Sequence, residues 1–304
     1  MGRFLPAVLV VALLGGSAAA FAVTERLKLV RSPIWRTQVS KVVSPGTGRR
    51  AKIDFRLRKA DSVSLAIVNA KGKVVRSLIQ SHHVGAGPKK FRWDGRDDAR
   101  VPVPDGLYKP RVHLAGAHRT IVLPNPILVD TKPPTVSLTR LNLRVFSPDG
   151  DYRKDYLRVG YRASEPVRPK LYANGHTVVI RKFFRSSAAF DWAGRADGLP
   201  RPAGLYRLQL SGIDRAGNEG PKSRVFTIRI RYIALGKKVI RARAGGRIRV
   251  RVSTDAHVYR WRIGPRRGRA RSRVLSVAAG APGRYRLVVS ERGRRASAVV
   301  VVRP

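Results

Sequence analysis

The chain has 304 residues, with 63 lysines and arginines against 18 aspartates and glutamates, a formal charge of +45 at neutral pH. This length accommodates two or three small domains with separate cores. The charge points to polyanionic partners such as nucleic acid, anionic lipid or anionic wall polymer, or else reflects a composition rich in Arg, Ala, Gly and Val. The absence of cysteine excludes disulfides, thiolate metal sites, cysteine nucleophiles and lipid-modified cysteine anchors, so the fold must rest on apolar packing.

Residues 1–23 read as a targeting segment. Arg3 precedes an apolar run over residues 4–14, broken only by Pro6, and Ala18-Ala19-Ala20 and Ala20-Phe21-Ala22 both suit an export cleavage site. The segment is also just long enough to remain as one hydrophobic membrane helix. Arg26, Lys28, Arg31 and Arg36 downstream, against Arg3 upstream, are the wrong bias for an anchor with an external C-terminus. The expected location is therefore outside the cytoplasm, either secreted after cleavage or membrane-anchored. Residues 24–43 read as a basic juxtamembrane stretch, in which Trp35 either meets a membrane interface or packs on the next domain.

Residues 44–123 read as a first β-domain. Ile53, Phe55 and Leu57 alternate with Asp54, Arg56 and Arg58, the period of a half-buried strand, and Val63, Leu65 and Ile67 repeat it. Residues 124–134 form a proline-rich linker ending Asp130-Thr131-Lys132-Pro133-Pro134, extended because residues before proline avoid the α region. It predicts a short, semi-rigid spacer in a rod of domains. Residues 135–232 form a second β-domain, with Asn174-Gly175 as its clearest hairpin turn and Asp214-Arg215-Ala216-Gly217-Asn218 as a second turn. Residues 233–304 form a third, strongly basic β-domain. In it Arg247, Arg249 and Arg251 alternate with Ile248, Val250 and Val252, and Arg260 and Arg262 alternate with Tyr259, Trp261 and Ile263.

One corner occurs twice. Residues 93–112 read WDGRDDARVPVPDGLYKPRV and residues 192–210 read WAGRADGLPRPAGLYRLQL. Each runs Trp-x-Gly-Arg, a polar turn, Pro-x-Gly-Leu-Tyr and an alternating strand. Pro282-Gly283-Arg284-Tyr285 echoes the second half. The pattern predicts a β-corner in which Trp93, Tyr108, Trp192 and Tyr206 plug two cores. Together with the strands of residues 53–57 and 63–68 and the Lys71-Gly72-Lys73 turn, the corner resembles the Ig-like domain of flagellar hook-capping proteins, the FlgD-type Ig-like domain. Copy two opens with Phe146-Ser147-Pro148-Asp149-Gly150-Asp151, closer to that family, although Ala193 stands where copy one has Asp94. The resemblance implies tandem Ig-like β-sandwiches with a scaffolding or binding role and brings no catalytic residues.

Chemistry-bearing clusters are sparse. Asp149, Asp151 and Asp155 surround Gly150 in a spacing able to offer oxygens to Ca²⁺, but the full loop is missing and Arg153 and Lys154 oppose a cation, so they read as a turn. His82, His83, His113, His118, His176 and His257 show no metal spacing. No nucleophile elbow or phosphate loop occurs. The expected protein has no catalytic residue, no cofactor and no metal. Arg247, Arg249 and Arg251, together with Arg260 and Arg262 if their strands are neighbours, are the candidate polyanion-binding face. The leading expectation is a non-catalytic envelope protein that contacts anionic wall polymer or lipid. The alternatives are a nonspecific nucleic-acid binder or a flagellar or envelope assembly scaffold.

Overall fold

The computed structural model describes residues 31–304, so the targeting segment and the start of the basic stretch lie outside the described residues. No helix among the described residues is long and apolar enough to cross a membrane. The architecture is nearly all β, with three separate apolar cores. By its contacts the chain divides between Thr131 and Lys132.

In the first part, a three-stranded sheet of Ile34–Val39, Ala51–Leu57 and Gly87–Trp93 faces a six-stranded sheet centred on Asp61–Val68 and Gly106–Leu114. Period-2 alternation dictates which side chains go inward: Ile53, Phe55, Leu65, Ile67, Val112 and Leu114 are buried. The expected boundaries move at both ends. Ile34–Val39 pairs with Ala51–Leu57, so the supposed juxtamembrane stretch already contributes a strand. Trp35 lies half-buried on it, with the guanidinium groups of Arg36, Arg56 and Arg58 within 5.5 Å of its ring. Ile127–Val129 pairs with Gly106–Leu114, and Ile127 and Val129 are completely buried. Burial of these two side chains pulls most of the expected linker into the sandwich.

In the second domain, the 17-residue strand Leu157–Ala173 serves both sheets. Its first half pairs with Val136–Leu141 and Arg185–Trp192, and its second half pairs with His176–Ile180 and Gly204–Ile213. Asn174 (φ 51°) and Gly175 (φ 84°) make the tight turn into His176–Ile180, as both central residues of a primed turn require. Asp214, fully buried, accepts hydrogen bonds from the backbone amides of Gly217 and Asn218, closing the second turn.

The third domain pairs Ala234–Leu235, Arg247–Ser253 and Val274–Ala278 in one sheet. The other sheet runs Val239–Arg243, Arg294–Arg303, Gly283–Glu291, Tyr259–Ile263 and Arg266–Ala270. Ile248, Val250, Leu275, Leu287, Val289 and Val300 fill the space between them. This core and the second domain's core lie in the same compact part of the chain. The two domains touch through polar and cation–π contacts: Arg231 Nη1 donates to Ser253 Oγ at 2.8 Å, and the Arg294 guanidinium lies 3.9 Å above the Tyr232 ring.

The repeated corner has the same geometry each time. Trp93 and Trp192 are 1% and 2% exposed, with ring centroids 5.4 and 6.3 Å from Tyr108 and Tyr206. The glycine after each tryptophan is fixed by close approach. A Cβ on Gly95 would sit 2.8 Å from Pro45 Cγ, and one on Gly194 would sit 2.6 Å from Pro148 Cγ. Both prolines follow buried serines, Ser44 and Ser147, so each corner is clamped against the start of its own domain.

Candidate basic face and junction carboxylates

The third domain separates the arginines that the sequence grouped together. Arg247, Arg249 and Arg251 point outward from the three-stranded sheet, whereas Arg260 and Arg262 point outward from the five-stranded one. The two strands are not neighbours, so the single five-arginine face does not exist. The chain between Ser253 and Tyr259 crosses from one sheet to the other, as a sandwich requires to cover both sides of a core.

What forms instead is a broader face that alternation within single strands could not reveal. On the five-stranded sheet, Arg260 stands directly opposite Arg269, and Arg262 directly opposite Arg267. Arg284 and Arg286 share this outer surface, because Leu287 and Val289 between them and the core set the opposite phase. Arg241 and Arg243 extend it across the parallel strand pair at the far edge. All eight side chains are exposed. Among the described residues none makes an ion pair with a carboxylate. Directly opposed side chains have Cβ atoms about 4.5–5.5 Å apart, and like charges placed so are destabilising. An anion lying across the sheet removes that cost.

On the three-stranded sheet Arg247 is tied down. Its Nε donates to Ser276 Oγ at 2.8 Å and its Nη2 to the Ser276 carbonyl at 3.1 Å. Arg251 lines a cavity of about 770 Å³ between the second and third domains, beside Ser147, Lys154, Tyr232, Asp255 and Arg273.

Carboxylates gather at this same junction. Asp149, Asp151 and Asp155 bring ligand-capable oxygens within 4.8 Å of one another. Asp155 holds the turn, accepting from the amides of Gly150 at 2.7 Å and Tyr152 at 2.6 Å, as the sequence predicts. Asp151 accepts from the Arg153 amide at 2.7 Å, and Ser147 Oγ donates to Asp149 Oδ2 at 2.9 Å. From the third domain, Thr254 Oγ1 donates to Glu291 Oε2 at 3.1 Å. Burial, with the charge of Asp149 next, pushes the Glu291 carboxyl up to about 7. Burial likewise raises Asp149 and Asp255. The sequence could find the three aspartates of one loop; Asp255 and Glu291 lie at least a hundred residues away and carry no local signal.

Residues 40–117 match the FlgD Ig-like domain family. No curated protein sequence matches the chain. Among solved structures, FlgD from P. aeruginosa is 26% identical over 36% of this chain and 84% of its own, with a TM-score of 0.24. The fibronectin(III)-like modules of Clostridium thermocellum CbhA are 13% identical over 64% of this chain and 94% of theirs, with a TM-score of 0.33. The I67–I69 fragment of the titin I-band is 10% identical over 90% of this chain and 99% of its own, at 0.28.

Proposed function

We propose that the chain is an exported, non-catalytic protein of the cell envelope. Its Ig-like domains act as spacers, and the outer face of the five-stranded sheet in the third domain lies on an anionic wall polymer or lipid surface. The observation that carries this reading is the two pairs of opposed arginines, Arg260 with Arg269 and Arg262 with Arg267, exposed and without carboxylate partners. A flat row of fixed cations suits a repeating polyanion, which gains from releasing condensed counterions and needs no shaped pocket. The FlgD Ig-like match at residues 40–117 supports the spacer role, and the apolar segment at residues 4–14 supports export.

The test is fractionation of native cells with sequencing of the protein's own N-terminus, followed by pull-down with purified anionic wall polymer and with duplex DNA. Recovery in the envelope fraction, with salt-sensitive retention on the polymer, is the expected result. Recovery of the intact N-terminus in the cytoplasmic fraction, bound to nucleic acid, overturns the reading in favour of a nucleic-acid binder.

A further inference from the structure

The outer face of the three-stranded sheet in the first domain gathers arginines on one aromatic ring. Alternation turns Ile34 into the core and Trp35 outward, half-buried. Arg56 stands directly opposite Trp35 on the neighbouring strand. Arg58 lies two residues along on the same side, and its Nε donates to the Ser32 carbonyl at 2.9 Å. The guanidinium carbons of Arg56 and Arg58 are 5.1 and 5.5 Å from the centre of the Trp35 ring. Alternation alone would turn Arg36 away from that ring. Between Trp35 and Gln38, however, the register breaks, so that Arg36 and Thr37 together oppose the single residue Phe55. Arg36 takes φ 50°, a left-handed backbone that is costly for an L-residue with a side chain. The bulge re-aims its side chain, and its guanidinium carbon lies 4.8 Å from the ring centre, the nearest of the three.

Three like charges therefore converge on one ring, one of them through a strained backbone. Among the described residues none of the three forms an ion pair with a carboxylate. Asp54 is the only carboxylate on these three strands, and its register partners are Gln38 and Lys90. Arg56 Nε is closed off from solvent and has no acceptor, a loss of hydration that stacking does not replace. Stacking occupies the face of a guanidinium and leaves the N–H donors along its edge free. That edge matches the oxygens of a phosphate group.

We propose that Arg36, Arg56 and Arg58, held on the Trp35 ring, form a binding site for a phosphate dianion, either free phosphate or a phosphomonoester. Three fixed cations suit a dianion with three open oxygens. A phosphodiester carries one charge and has two oxygens closed by ester bonds, so it satisfies fewer of the donors. That preference separates this site from the third-domain face, which suits a repeating polymer. The site lies wholly within the first domain and rests neither on export nor on a wall polymer.

The test uses the full chain at about pH 8, where a phosphomonoester is a dianion, with NaCl holding the ionic strength constant. Inorganic phosphate, glycerol phosphate and the diester dimethyl phosphate are titrated separately while the indole N–H resonances are followed. The Trp35 signal is assigned by its loss in Trp35→Phe. It should shift and saturate with inorganic phosphate, glycerol phosphate or both, with a dissociation constant at or below about 1 mM, as three charge-assisted contacts allow. The tighter of the two identifies the source of the phosphate. The signals of Trp93 and Trp192, buried and bonded to their own turns, should stay in place. Arg56→Lys keeps the charge and loses the fork, and should weaken binding at least about tenfold. Arg36→Gly removes a donor and relieves the left-handed backbone, so binding should weaken while Tm does not fall. The wild-type titration needs no variant to fold. A Trp35 signal unmoved by either dianion at about 10 mM, where a site of this strength is filled, overturns the proposal. So does dimethyl phosphate binding as tightly as the dianions, or unchanged binding in both arginine variants.

Discussion

The indole N–H of Trp93 donates to the carbonyl oxygen of Arg96 at 2.8 Å, and Trp192 makes the same bond to Arg195 at 2.7 Å. Each ring thus closes the turn that follows it while filling its core. The tyrosines complete the pattern: Tyr108, Tyr206 and Tyr285 each donate to the carbonyl four residues upstream, on Pro104, Pro202 and Ala281, at 2.8, 2.8 and 2.9 Å. The third domain keeps the tyrosine half of the corner and has lost the tryptophan half. Removing the ring should be costly. Trp192→Ala should lower the stability of the second domain by about 3–5 kcal/mol, and Tyr206→Phe, which loses only the hydrogen bond, by about 1 kcal/mol. Denaturant unfolding followed by a probe in that domain measures both. Equal costs for the two substitutions would show that packing of the tryptophan contributes little.

Gly106, Gly204 and Gly283 begin the strand at each corner with φ of 152°, 159° and 153°, a region essentially reserved for glycine. A Cβ at Gly204 would meet no atom within 4 Å. Gly204→Ala should therefore cost about 1–3 kcal/mol from backbone conformation alone. A neutral substitution, measured by thermal unfolding, would mean the backbone relaxes freely there.

An acid-sensitive lock sits in the second domain. Glu219 accepts from Lys170 Nζ at 2.8 and 2.9 Å, from Ser211 Oγ at 3.0 Å and from the Tyr172 hydroxyl. Burial pushes its carboxyl up, but these hydrogen bonds outweigh burial and hold it below the usual glutamate range. A carboxylate with a lowered folded pKa stabilises above its unfolded pKa and loses that contribution as pH falls through the folded value. Glu219→Gln should therefore reduce Tm at neutral pH and flatten the loss of stability below about pH 4.5. Parallel Tm–pH curves for both proteins would contradict this role.

The corner was legible in the sequence because its spacing is local. Trp-x-Gly-Arg and Pro-x-Gly-Leu-Tyr lie within about one turn and one strand of each other, and alternation assigned Ile53, Phe55, Ile248 and Val250 to cores correctly. Sheet membership was not legible, because periodicity says which face a residue takes on its strand and nothing about which strand lies beside it. Arg247 and Arg260 were therefore grouped across two sheets, while Arg267 and Arg269, in a loop-like Arg-Gly stretch, turned out to pair with Arg262 and Arg260. Ile127 and Val129 were hidden in the same way: a three-residue strand between prolines gives no period to read.

The basic face is tested most directly by comparing two full-length variants for binding to purified anionic wall polymer across a salt series. One replaces Arg260, Arg262, Arg267 and Arg269 with Ser on the five-stranded sheet. The other replaces Arg247, Arg249 and Arg251 with Ser on the opposite sheet. Binding by the parent should weaken steeply as salt rises, because exposed charges are screened over about 10 Å at 0.1 M. The first variant should lose most of that binding and its salt dependence, with its fold intact, while the second stays close to the parent. Equal binding by the first variant and the parent would contradict the account, leaving the arginine face merely solvated.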